Sequence, residues 1–237
     1  FGDRLAFVLS EGTLGFEPWI WDGTALGTFP LVEISPGSSP SSTFSPRFLG
    51  ATASDLYLCQ RKSDFTERIW ISDGTPGGMK PLDLTVSGLP DACPIGLNAT
   101  PEGFLGVFFV ETDRFDLVRY DKGSPSLTFL RSFDWVGWNW PWLSSSDGRT
   151  LFSASEASSG AELWISDGTT EGTGLLRDIH PGPDDSSPFL LTTCGDRTYF
   201  LADDGSHGRE LWSTTGEAMQ TKLARDIRPG AQGTEYK

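Results

Sequence analysis

Two histidines, His180 and His207, are all the imidazole this chain carries, so metal and acid–base chemistry that depends on histidine has few places to reside. His207 ends the polar run Asp203-Asp204-Gly205-Ser206-His207, and no GxSxG or HExxH pattern accompanies either ring. That argues against a catalytic triad and against a zinc hydrolase. Carboxylates are plentiful. Glu17, Asp116, Glu162 and Glu210 are the candidates for a paired-carboxylate glycoside hydrolase. The doublets Asp184-Asp185 and Asp203-Asp204 offer the hard oxygen ligands that calcium takes, although neither follows an EF-hand spacing. Aromatic chemistry concentrates in residues 132–145, SFDWVGWNWPWLSS, which hold four of the nine tryptophans. Trp135, Trp138 and Trp140 lie in a connector, where exposed indoles form a platform for sugar rings or for a partner's apolar side chains, or else a plug over a poorly filled neighbouring unit.

The chain that must position these residues has 237 residues, 28 Gly, 16 Pro and a formal net charge of −14. Such a charge repels phosphate backbones and acidic lipid headgroups, so nucleic acid and an anionic membrane surface are poor candidate partners. No apolar run approaches the roughly 18 residues that a transmembrane helix needs. Three cysteines, Cys59, Cys93 and Cys194, allow at most one disulfide; Cys59–Cys93 bonding and free thiols both remain open.

A repeat organises the whole sequence. ELWISDGTTEGT around Trp164 returns as EPWIWDGTALGT around Trp19, RIWISDGTPGG around Trp70, DLVRYDKG around Val118 and ELWSTTGE around Trp212. Phe7, Leu58, Gly106, Phe152 and Phe200 each stand 12 residues before their anchor, and an acid-plus-apolar pair follows most anchors, as in Asp178-Ile179 and Asp226-Ile227. Repeats of this length signal arrays or propellers. The five units run approximately over residues 1–45, 46–93, 94–140, 141–187 and 188–237, the third being the most degenerate. The four acids Glu17, Asp116, Glu162 and Glu210 share one repeat position, where Arg68 stands in the second unit. Catalysis breaks symmetry and these residues obey it, so hydrogen bonding to a loop or a neighbouring unit is their expected role. His180 takes a position occupied elsewhere by Ser35, Thr85, Asp134 and Arg228, which predicts exposure to solvent.

Each unit contains four short segments rich in aromatic and aliphatic residues between Gly, Asp, Ser and Pro, which predicts four strands and almost no helix. Asp22-Gly23, Asp73-Gly74 and Asp167-Gly168 fall between the third and fourth strands, where a turn needs positive φ. A single four-stranded sheet cannot bury both faces, so the expected fold is an all-β, five-bladed β-propeller of four-stranded antiparallel blades, one domain over residues 1–237. Trp19, Trp70, Trp164 and Trp212 are then apolar plates between blades. Phe1–Phe7 matches Cys194–Phe200, so the chain is expected to begin at the second strand of a blade, with the first strand of the closing blade missing or beyond Lys237.

The copies ELWISDGTTEGT and RELWSTTGE, each followed by RDI-x-PG, resemble the ELWxxDGT repeats of secreted and surface-exposed bacterial proteins. That resemblance spans nearly the whole chain and implies a β-propeller in the periplasm, at the cell surface or outside the cell. It brings no catalytic residues with it. In architecture five short units are also similar to the five-bladed tachylectin lectins. The expected function is non-enzymatic recognition without a cofactor, with calcium a weak candidate. A carbohydrate or protein surface would be held by Trp135, Trp138 and Trp140, with Asp203, Asp204 and His207 as polar neighbours. The alternatives are a structural subunit of a surface or membrane-associated assembly, docking by its Trp-rich loop or by an open blade edge accepting a strand from a partner, and a carboxylate-based glycoside hydrolase.

Overall fold

The 12-residue spacing between landmark and anchor is a register. Phe7 stands opposite Trp19, Leu58 opposite Trp70, Phe152 opposite Trp164 and Phe200 opposite Trp212, each pair bridging the second and third strands of its unit. The structure, a computed structural model, describes residues 2–10, 16–24, 26–31, 45–61, 66–82, 84, 93–134, 143–230 and 233. It is all-β and antiparallel. Among the described residues a single 3-10 turn at Ala218–Gln220 is the only helical element.

Two compact units divide the chain, one comprising residues 1–104 and 120–127, the other 105–119 and 128–237. The first contains a three-stranded sheet, β1 (Leu5–Ser10), β2 (Phe16–Trp21) and β3 (Thr28–Pro30), in that order. Beside it lies a four-stranded sheet of β4 (Arg47–Ala51), β5 (Leu56–Arg61), β6 (Glu67–Ser72) and β7 (Met79–Pro81). The third repeat supplies β8 (Gly96–Thr100), β9 (Gly103–Glu111), β10 (Arg114–Asp121) and β11 (Leu127–Asp134), and the boundary between the units runs through its last three strands. The fourth repeat supplies β12 (Leu143–Ser146), β13 (Arg149–Glu156), β14 (Gly160–Ser166) and β15 (Gly174–Arg177), and the fifth β16 (Phe189–Cys194), β17 (Arg197–Asp203), β18 (Arg209–Thr214) and β19 (Lys222–Arg225). Through a bridge from Asp134 to Ser155, the third and fourth repeats share one strand order, β15-β14-β13-β11-β10-β9-β8, with β12 beside β13. The fifth repeat forms its own sheet in sequence order.

Alternation along a strand sends successive side chains to opposite faces, so a sheet can pack both. In the first unit Ile20 and Ala6, from one face of the first sheet, meet Leu56, Leu58 and Trp70 of the second. The other face of that second sheet sends Tyr57 edge-on against Phe104, 5.4 Å between centroids. In the second unit Trp164 crosses Phe133 at 4.9 Å, and Trp212 and Phe200 pack with Leu151 and Leu163. Each anchor tryptophan therefore lies on what we term the leading face of its sheet, toward the preceding repeat where one covers it. Trailing faces carry the aliphatic residues that it meets. In the last two repeats the register shifts beside the anchor, between Leu163 and Trp164 and between Leu211 and Trp212, so the same bulge recurs in both.

Cys59 and Cys93 form a disulfide, which resolves the alternative the sequence leaves open, while Cys194 is free and exposed. The bond ties β5 to the residues ahead of β8. Glu67 supports it by accepting the Cys93 amide at 2.8 Å.

Candidate functional site

The repeated acids are anchors. Glu162, at the start of β14, is fully buried and receives four hydrogen bonds, from the amides of Ile179 (2.8 Å), His180 (3.3 Å) and Ser186 (3.1 Å) and from the Ser186 hydroxyl (2.6 Å). Burial pushes this carboxyl up to about 7, with the donated hydrogen bonds opposing that rise. Glu210 repeats the arrangement, accepting from Ile227 (2.6 Å) and Arg228 (3.1 Å). In the degenerate third repeat the shorter Asp116 accepts instead from the Ser132 hydroxyl at 2.7 Å. The apolar member of the acid-plus-apolar pair thus owes its position to its amide, which reaches back 17 residues to the buried carboxylate. The chain after the fourth strand is fastened to the third by this bond.

The DGT turns are built likewise from internal contacts. Asp167 Oδ1 accepts the Thr169 amide (2.9 Å) and hydroxyl (2.7 Å), and Asp22 and Asp73 treat Thr24 and Thr75 in the same way. The threonine hydroxyl bond, joined by the amide, holds each of these aspartates below the ordinary carboxylate range. Gly168 takes φ +87°, as the turn requires. The second glycine has a different purpose, missed in the sequence. A Cβ on Gly172 would stand 2.0 Å from Asp167 Oδ1, and Gly27 and Gly78 are crowded by Asp22 and Asp73 in the same manner. DGT-x-x-G is therefore a loop folded over its own carboxylate.

The loop between β17 and β18 departs from this pattern. Asp204 Oδ1 accepts the amides of Ser206 (2.9 Å) and His207 (2.8 Å), while its Oδ2 meets His207 Nδ1 at 2.8 Å. The hydrogen bond to Asp204, followed by its charge, raises the His207 pKa. For Asp204, burial works upward, but the amide and ring of His207 carry the carboxyl below its usual value. The pair is a hydrogen-bonded imidazole–carboxylate couple whose histidine side chain remains 44% exposed. Asp203 turns the loop by accepting the Gly205 amide at 2.8 Å, and its own amide binds the Ser186 carbonyl at 3.0 Å.

His180 corrects the expectation of a solvent-facing ring. It is half-buried because Gly205 lacks a side chain there: a Cβ on Gly205 would lie 2.3 Å from His180 Nε2. Both histidines consequently belong to one neighbourhood, with Asp184 Oδ2 3.9 Å from His180 Nε2. Asp185 turns inward, accepting the Ala161 amide at 2.7 Å. Among the described residues, the grouping with three convergent metal-capable side chains is Cys59, Glu67 and Cys93, whose sulfurs are already joined to each other. Trp135, Trp138 and Trp140 lie outside the described residues. The connector that holds them leaves β11 at Asp134 and returns to β12 at Leu143.

No protein-family model matches the sequence, and no curated protein matches it. Among solved structures, the chain is similar to one from an analysis of two prolyl endopeptidases, with a TM-score of 0.55, 12% identity and 94% of this chain covered. It is also similar to oligopeptidase B from Leishmania major, with a TM-score of 0.52, 11% identity and 93% covered. The chain spans 34% and 31% of the lengths of those two proteins. At such identity the likeness is one of fold, and that fold is β-propeller-like.

Proposed function

We propose that the five repeats are the blades of a five-bladed β-propeller of the ELWxxDGT type, serving as a non-enzymatic recognition module of an exported bacterial protein. The observation that carries this reading is the use made of the acids. Glu162, Glu210 and Asp116, at the position where a glycosidase pair would have to be sought, are spent on the amides and hydroxyls of their own repeats. The DGT aspartates are spent on their own threonines. What the symmetry leaves unused is irregular: the Trp-rich connector and the Asp204–His207 loop. A sugar ring suits that combination, since an indole face covers its C–H surface while an imidazole ring exchanges a hydrogen bond with a hydroxyl. The buried Cys59–Cys93 bond supports export to an oxidising compartment.

A glycan array probed with the chain and with its Trp135→Ala/Trp138→Ala/Trp140→Ala and His207→Ala variants tests the assignment. Binding should fall at least tenfold in the triple variant and less in the His207 variant. Unchanged binding in both would overturn it.

A further inference from the structure

The second repeat lacks the buried acid on which the fourth and fifth depend. Arg68 stands where they have Glu162 and Glu210, and a guanidinium carries donors alone, so it cannot accept the amides that fasten the chain after the fourth strand. Two neighbouring positions take over. Glu67 and Cys93 are the repeat equivalents of Ala161 and Ser187, one residue before the acid position and one before the proline that opens the next repeat. In the fourth repeat the Ser187 amide donates to the Ala161 carbonyl at 3.0 Å, beside the Ser186 amide and hydroxyl on Glu162. In the second repeat the Cys93 amide donates instead to the Glu67 side chain, at 2.8 Å. The contact is kept between equivalent residues, but its acceptor is now a half-buried carboxylate.

The disulfide adds what Glu162 supplies in the fourth repeat. Cys59 faces Ile69 across β5 and β6 as Ser153 faces Leu163 across β13 and β14, so a cysteine has replaced a serine at a fixed register position. From there it reaches Cys93 with 5.9 Å between the Cα atoms, and both residues are buried. The described hydrogen bonds that would remain at Cys93 and Pro94 without the covalent link come from Glu67 and from Arg47, which donates to the Pro94 carbonyl at 3.0 Å. Both of those side chains are partly open to water, and a hydrogen bond that water can replace contributes little net stability. Ser186, by contrast, is held by a fully buried carboxylate.

We propose that the Cys59–Cys93 bond is a redox-operated clasp that replaces the missing acid joint, so that its reduction frees the chain ahead of β8 while the joints of the fourth and fifth repeats hold. A dithiol opens it. One thiolate of the reductant attacks a cystine sulfur, the S–S bond breaks and the other cysteine leaves as a thiolate; the second thiol of the reductant then attacks the mixed disulfide and releases the first cysteine. Two electrons pass to the protein, the two cysteines take up the two protons that the reductant gives up, and the reductant becomes a disulfide. Because both sulfurs are buried, attack waits on the segment swinging out, and the Glu67 bond to the Cys93 amide slows that opening.

Hydrogen exchange on the full chain, oxidised and then reduced with dithiothreitol, tests this. Protection of peptides covering residues 93–100 should fall at least tenfold on reduction, while peptides covering 160–166 and 186–194 keep theirs. The Cys59→Ser/Cys93→Ser variant should show the reduced pattern; should it fail to fold, the reduced wild type, which starts from the folded chain, decides. Glu67→Ala should be reduced at least tenfold faster than wild type at the same dithiothreitol concentration, read by alkylation of the two released thiols. Unchanged protection at 93–100 overturns the proposal, and so does an equal loss in the fourth and fifth repeats, which would make the bond a staple for the whole chain. Equal reduction rates in the Glu67 variant and the wild type overturn the part given to Glu67.

Discussion

The first and fourth repeats write nearly the same sentence and meet different surroundings. Phe7 faces Trp19 across β1 and β2 as Phe152 faces Trp164 across β13 and β14. Yet Trp164 is 2% exposed beneath Phe133, with the Arg131 guanidinium 4.8 Å from its ring, whereas Trp19 shares its face with the exposed Leu5 and Trp21. Arg131 is itself held by Glu156. A repeat thus specifies which side chains share a face; whether that face is covered depends on a neighbour. Hydrophobic stabilisation is proportional to area removed from water, so identical residues contribute unequally.

The sharpest way to break this contrast is to truncate both indoles. Trp164→Ala should cost about 3–5 kcal/mol by urea denaturation, as expected for removing a buried large aromatic, and Trp19→Ala less than half as much. Equal losses would mean that the first sheet is covered after all.

The buried acid comes next. Glu162→Gln places an amide N–H₂ among groups that donate, and should destabilise by about 1–3 kcal/mol. Its pH signature is separate. With a folded pKa of about 7 against an ordinary carboxyl value of 4.5, the native state holds the proton more tightly in that interval. The Glu162 contribution to stability is therefore largest below about 4.5 and declines as pH rises to about 7. The Gln variant should lose that slope while the remaining pH dependence persists.

A smaller effect distinguishes two glycines two residues apart. Gly172→Ala forces a Cβ onto the Asp167 carboxylate and should cost about 1–2 kcal/mol, while Gly174, which has open space around its Cβ position, should accept Ala with a change within about 0.5 kcal/mol. Thermal melts of the two variants measure the difference. Should they melt together, the folded-over turn is not what the second glycine serves.

The smallest effect belongs to the fifth repeat's irregular loop. Asp204→Asn should lower the His207 pKa toward its ordinary value, read by NMR titration of the ring, with little movement of the melting temperature. The sign follows from both shifts. The raised His207 pKa makes its stabilising share complete below about 6.5 and lost above the folded value, and the depressed Asp204 pKa makes its share complete above about 3.8 and lost on acidification. The couple is accordingly strongest between those limits.

Much of this was legible in the residues. Strand number per unit, the pairing of landmark with anchor, the turn at Asp-Gly and the backbone-binding duty of the repeated acids all follow from spacing, because a β register converts a constant separation into a fixed partner. The half-buried His180 was not legible, since its burial depends on the absence of a Cβ at Gly205, 25 residues away. Nor was the fastening of the second repeat, where Glu67 and the Cys59–Cys93 bond perform the task of Glu162 with different chemistry and from different positions. A pattern search aligns residue types, whereas a contact conserves only a distance and a complementarity.

What the amino-acid order determined alone is local and periodic: antiparallel strands, their facing pairs, and turns that close on their own carboxylates. Tertiary packing decided the rest. It covered the tryptophan at 164 and left the leading face around Leu5 and Trp21 open, joined Cys59 to Cys93, and set His180 over Gly205. Such outcomes rest on surfaces brought together from distant parts of the chain, and no short-range pattern encodes which surface will arrive.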